Sequence, residues 1–105
     1  MHKLRKNEPN EIIYLKADSN YTIFQFTNGE KDISGFTLKH HQEKPELKGF
    51  LRVNRAYLLN PKYIDRIIKQ DSTFDIRLSD GTKTKVSRRR LQTIIPRAEK
   101  YSLFG

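Results

Sequence analysis

In FLRVNRAYLLN, residues 50–60, an apolar run is interrupted by Arg52, Asn54 and Arg55 and closed by Asn60. On one long strand, alternation puts Leu51, Val53, Arg55 and Tyr57 on one face and Phe50, Arg52, Asn54, Ala56 and Leu58 on the other. Neither face is clean. A break at Asn54-Arg55 resolves the conflict: Phe50–Val53 and Tyr57–Leu59 are buried to either side, and the two polar residues form a projecting corner. Arginine is suited to bidentate pairing with guanine O6 and N7, and asparagine to adenine or a phosphate. Arg52 has a second use, anchoring the corner from within.

Two further stretches have similar chemistry. SRRR (87–90) follows a strand and opens a helical pattern. Three arginines at a helix start oppose its dipole, which favours acids there. With Ser87 as N-cap, free backbone N–H groups and arginines around it, the segment reads as a phosphate site. DSNY (18–21) lies between two strands and places Asn20 at or near a hairpin tip, where an ordinary Asx-type turn is the plain reading. Catalytic patterns are missing. His40 and His41 are adjacent and diverge, no HExxH pattern occurs, and the glycines at 29, 35, 49 and 81 are isolated turn residues. An enzyme is not expected, nor a cofactor or metal.

Composition sets the frame for these stretches. The 105 residues make one domain, and without cysteine there is no disulfide, thiolate nucleophile or cysteine metal site. No signal peptide or membrane span is visible, so a cytoplasmic protein is the default. The net charge is +9 and it is uneven: residues 1–50 carry 8 basic and 7 acidic side chains, residues 51–105 carry 13 and 5. That is the footprint of a polyanion binder, with solubility alone as the equal alternative on charge by itself.

The elements that must position these residues are mostly strands. EIIYLK (11–16), NYTIFQFT (20–27), KDIS, YIDRIIKQ (63–70) and TFDIRLS (73–79) are β-type segments. Asn28-Gly29 is a hairpin turn. A two-residue turn on Asp80-Gly81 would pair Leu78 with Lys83 and Ile76 with Lys85, bringing lysines onto the apolar face. A three-residue loop, Ser79-Asp80-Gly81 with Gly81 left-handed, instead pairs Leu78 with Thr82, Ile76 with Thr84 and Phe74 with Val86, and sets Asp75 opposite Lys85. The longer loop is preferred. Thr37 caps a short helix over 38–44 that Pro45 ends, and Leu91, Ile94 and Ile95 lie at helical spacing until Pro96. The expected divisions are a basic arm or linker remnant (1–10), the domain proper (11–97) and a tail (98–105). The fold class is mostly β, short antiparallel strands with one or two short helices.

Taken in order, IIYLKADSNYTIFQF, the helix start at Thr37-Leu38, FLRVNRAYLLNPKYI and LSDGTKTKVSRRRL resemble the LytTR family, the DNA-binding output domain of many bacterial response regulators. The resemblance spans roughly 11–95. It implies an all-β arrangement whose loops, not a recognition helix, enter successive major grooves of double-stranded DNA. It implies base contacts from Asn20, Tyr21, Arg55 and Arg89, and backbone contacts from Ser19, Asn54, Lys85, Ser87, Arg88 and Arg90. Paired direct repeats and a dimer on DNA would follow, with nucleoid association when bound. Two departures stand out. Where the family commonly has His-Arg-Ser, this corner is Asn54-Arg55-Ala56, which cannot become cationic at Asn54 and has lost a hydroxyl at Ala56. There is also no receiver domain with a phosphoacceptor aspartate, so the chain reads as an excised output domain of a two-component system or as a free-standing regulator.

Two other readings compete. One is a β-domain gripping single-stranded nucleic acid by stacking bases on Tyr14, Tyr21 and Phe24, although these look like inward-facing strand residues. The other is a basic protein-interaction module.

Overall fold

The computed structural model describes residues 8–100. Eight strands and two helices follow in order: β1 (Ile12–Asp18), β2 (Tyr21–Phe26), β3 (Lys31–Ser34), α1 (Leu38–Gln42), β4 (Leu51–Arg52), β5 (Tyr57–Leu59), β6 (Ile64–Gln70), β7 (Thr73–Leu78), β8 (Lys83–Lys85) and α2 (Leu91–Lys100). They form a five-stranded sheet, ordered β3-β2-β1-β5-β4, and a three-stranded sheet, β6-β7-β8, with every pairing antiparallel. The mostly-β expectation is met.

β1 is central to the larger sheet and is covered on both faces, which explains why IIYL is an apolar run and not an alternation. Ile12, Leu15, Phe24, Phe26 and Leu58 are buried beneath Leu38 of α1 and Leu47. On the opposite face Ile13, Leu51, Val53 and Leu59 meet Ile64, Ile67, Ile76, Leu78 and Val86 of the smaller sheet, and Ile94 and Ala98 of α2 close that core. Neighbours such as Ile12 and Ile13, or Leu58 and Leu59, thus belong to different layers.

Two of the hairpin loops share one design. The Phe26 N–H donates to the Glu30 carbonyl and the Gly29 N–H to the Phe26 carbonyl, and Gly29 has φ +88°. Around the other loop, the Leu78 N–H donates to the Thr82 carbonyl and the Gly81 N–H to the Leu78 carbonyl, with Gly81 at φ +92°. In each, a side-chain oxygen, Asn28 Oδ1 or Asp80 Oδ1, accepts from the N–H two residues on. The three-residue loop is therefore present, with Ile76 opposite Thr84, Asp75 opposite Lys85, and the Val86 N–H on the Phe74 carbonyl.

The helices depart from expectation at their ends. Thr37 caps α1 by accepting from the His40 N–H at 3.2 Å, but the α-helix closes at Gln42, and Pro45 begins a 3-10 turn, Pro45–Leu47. Pro96 does not end α2, which runs to Lys100. Proline removes one helical bond, but the turn beyond it is held from outside: Ala98 is fully buried, and Arg97 Nη2 donates to the Gly49 carbonyl at 3.1 Å. The boundary expected after residue 97 falls inside this helix. Of the expected N-terminal arm, residues 1–7 lie outside the described residues. Glu8–Glu11 form a 3-10 turn, held by the Tyr63 hydroxyl donating to the Asn10 carbonyl and by Asn60 Nδ2 donating to the Pro9 carbonyl.

Candidate nucleic-acid interface

The opening run does break into two strands, β4 and β5, which pair with each other through Leu51–Leu59 and Arg52–Leu58. Between them, residues 53–56 form the corner, and its polar residues divide the work. Asn54 Oδ1 accepts from the Ala56 N–H at 2.8 Å and the Tyr57 N–H at 3.0 Å, while its Nδ2 donates to Thr84 Oγ1 at 2.8 Å and the Lys85 carbonyl at 2.6 Å. Both amide protons are thus committed inside the protein. The side chain expected at the DNA backbone is the internal clamp of the turn.

Arg52 is the second brace. Its Nε donates to the Asn54 carbonyl at 2.8 Å, Nη2 to the Arg55 carbonyl at 3.0 Å and Nη1 to Gln42 Oε1 of α1 at 2.7 Å. Its anchoring use is the one realised. Burial, and after it the nearby charge of Arg90, lowers the Arg52 pKa from its ordinary value. Arg55 is left as the exposed member, and among the described residues nothing bonds its side chain. The amide at the end of the run is also structural: Asn60 is buried, caps the 3-10 turn Pro61–Tyr63 by accepting from the Lys62 N–H, and donates to the Ile12 carbonyl at 2.9 Å.

Backbone bonds bring the other two stretches to this corner. The Ala17 N–H donates to the Ala56 carbonyl at 2.8 Å, which sets the β1–β2 turn beside it. In that turn Asp18 pairs with Tyr21, and Ser19 and Asn20 form the tip, with Ser19 left-handed at φ +55°. From the other side, the Ser87 N–H donates to the Val53 carbonyl at 2.8 Å. Ser87 occupies the N-cap position of a 3-10 turn, Arg88–Arg90, that leads into α2, but its hydroxyl makes no cap bond. Ser19, Asn20, Tyr21, Arg55, Arg88 and Arg89 are exposed, and Arg90 is half-buried. Lys85 stands on the wet face of β8, its Nζ 3.6 Å from Asp75 Oδ1.

The aromatics divide differently from the expectation that all three face inward. Phe24 is fully buried and Tyr14 is half-buried with its ring edge-on to Tyr57, but Tyr21 is 56% exposed. Tyr21 and Phe24 have opposite parity on one strand, so they cannot share a face. The histidines diverge as expected: exposed His40 stacks on Phe36, and buried His41 has Nε2 2.7 Å from Ser34 Oγ. No group of three or more potential metal-ligating side chains occurs among the described residues, and no described helix is long and apolar enough to cross a membrane.

Two packed antiparallel sheets with a basic end built from three loops define a small β-domain shaped to meet a polyanion. The chain belongs to the LytTr DNA-binding domain family, whose profile matches residues 2–96. The family is one of DNA-binding, non-catalytic domains. The fold is similar to that of a solved Bacillus cereus domain, described as the LytTr DNA-binding domain of a methyl-accepting/DNA response regulator. The TM-score is 0.70 at 19% identity, over 84% of this chain and 81% of that one. No curated protein sequence matches the chain.

Proposed function

We propose that this domain reads double-stranded DNA in a sequence-specific manner for a bacterial transcriptional regulator of the response-regulator kind, in the cytoplasm. Asn20 and Tyr21, Arg55, and Arg89 reach base edges from three loops set in successive major grooves, while Ser19, Lys85, Ser87, Arg88 and Arg90 meet the sugar-phosphate backbone. Asn54 acts through the corner it clamps. Paired direct repeats bound by two copies, and control by a receiver domain, belong to the same reading.

The observation that carries it is the union of three distant segments at one end of the molecule. Residues 17, 53–56 and 84–87 are joined by hydrogen bonds, and the exposed cations Arg55, Arg88 and Arg89 project from that frame without internal partners among the described residues. A rigid frame with uncommitted bidentate donors is what base readout requires. The test is selection from a random duplex pool at near-physiological salt, where purely electrostatic binding is weak. Enrichment of a short motif, repeated near one helical turn, is the expected result. Well-folded protein that enriches no sequence would overturn the reading.

A further inference from the structure

Next to the loop end lies a groove of about 500 Å³ between α2 and the segment formed by the end of α1 and its following 3-10 turn. Lys44, Lys48, Arg52, Arg90 and Arg97 line it against one acidic residue, Glu43. Phe50 and Ile94 supply apolar lining between them. None of the five cations is paired with a carboxylate among the described residues. Arg52 and Arg97 direct donors at neutral oxygens, which orients them without neutralising them. Four of the five are half-buried, where water screens charge less, and the charge of Arg90 is felt at Arg52. An anion between them would relieve that repulsion.

The groove is continuous with the loop end. Arg52 braces the corner while lining the groove, and Arg90 ends the basic 3-10 turn while lining it too. From Arg90 to Arg97 the helical rise is about 10 Å, which equals the axial rise of about three base-pair steps of duplex DNA. We propose that the groove is a second seat for DNA phosphates, in which the strand leaving the corner passes Arg90 and is held by Lys48 and Arg97, with Lys44 on the facing wall. The inference rests on the DNA-binding reading and adds a sequence-independent flank to it.

The test compares Lys48→Gln and Arg97→Gln with the parent on the duplex that selection enriches, measuring affinity across a salt series. Each variant should flatten the slope of log K against log salt by about 0.9, the value for one phosphate contact, while leaving base preference unchanged. Trimming the duplex on one flank should abolish the difference between parent and variants. Arg97→Gln also severs the bond to Gly49, whereas exposed Lys48 makes no such bond, so Lys48→Gln decides the matter if the other variant unfolds. Slopes equal to the parent's would overturn the proposal. So would saturable binding of inorganic phosphate at Thr93 and Lys48, followed by NMR, that the duplex does not displace, since the occupant would then be a free anion. Failure of the DNA-binding reading looks different: the parent itself would show no sequence preference.

Discussion

At the scale of residues, the corner separates two kinds of polar side chain that look alike in the sequence. Arg52 and Asn54 are committed inward, and Arg55 is held out by them. Arg55→Ala should therefore leave stability unchanged and cost about 1–3 kcal/mol of specific binding, with relaxed preference at one base pair. Arg88→Ala should weaken binding about equally on all sequences, and the pair is separated by measuring affinity on the selected site and on a scrambled duplex. Asn54→Ala strands two backbone N–H groups and the Lys85 carbonyl, so it should destabilise the fold by about 2–3 kcal/mol in urea. Lysine cannot reproduce a three-way guanidinium fork. Arg52→Lys should therefore lose specificity as Arg55→Ala does, although Arg52 is expected to touch no base. Ser19 gives a test in the opposite direction. Its left-handed φ of +55° is costly for a side chain, so Ser19→Gly should raise stability by about 0.5–1 kcal/mol in the same assay.

At the scale of elements, α2 presents the sharpest conflict between local preference and tertiary packing. Pro96 lies well inside the helix, yet the buried Ala98 and the Arg97–Gly49 bond carry the helix on to Lys100. Pro96→Ala should restore a helical hydrogen bond and stabilise the domain by about 1–3 kcal/mol by urea denaturation. No gain would mean that the helix has bent to relieve the clash. The same contrast shows what was legible beforehand. The Ser79–Gly81 loop could be chosen from the sequence because the alternative register turned lysines onto the apolar face, a purely local contradiction. The break at Asn54-Arg55 was legible for the same reason, since no single strand through it had a clean face. The acceptor halves of the internal roles of Asn54 and Asn60 are local: Asn54 accepts from the Ala56 and Tyr57 N–H groups, and Asn60 from the Lys62 N–H. The groups to which their amides donate lie about thirty residues ahead of Asn54 and about fifty behind Asn60, so that half had no local signal. The end of α2 depends on contacts with Gly49 and the core, which nothing near Pro96 announces. The exposure of Tyr21 was readable from its parity relative to Phe24.

At the scale of the whole molecule, the excess charge gains meaning from the fold. The basic half of the chain, residues 51–105, contributes the corner, the Arg88–Arg90 turn and α2, so the charge is gathered toward the loop end and the groove beside it. The loop end alone offers five cations, Arg55, Lys85, Arg88, Arg89 and Arg90. Arg55 and Arg89 are aimed at bases, so if the other three each displaced one counterion, the slope of log K against log salt would be about −2.7, or about a 40-fold loss of affinity between 50 and 200 mM salt. DNA contacts with the groove-lining Lys44, Lys48 and Arg97 would steepen the slope to about −5.4 and the loss to about two-thousand-fold. Lys85 is already paired with Asp75, so its share should fall below that of the unpaired arginines, and Asp75→Asn should tighten binding slightly at low salt. A salt series on one duplex therefore measures how much of the basic surface DNA covers. A slope near −3 would confine the phosphate contacts to the three loops; one near −5 is expected where the strand continues along α2.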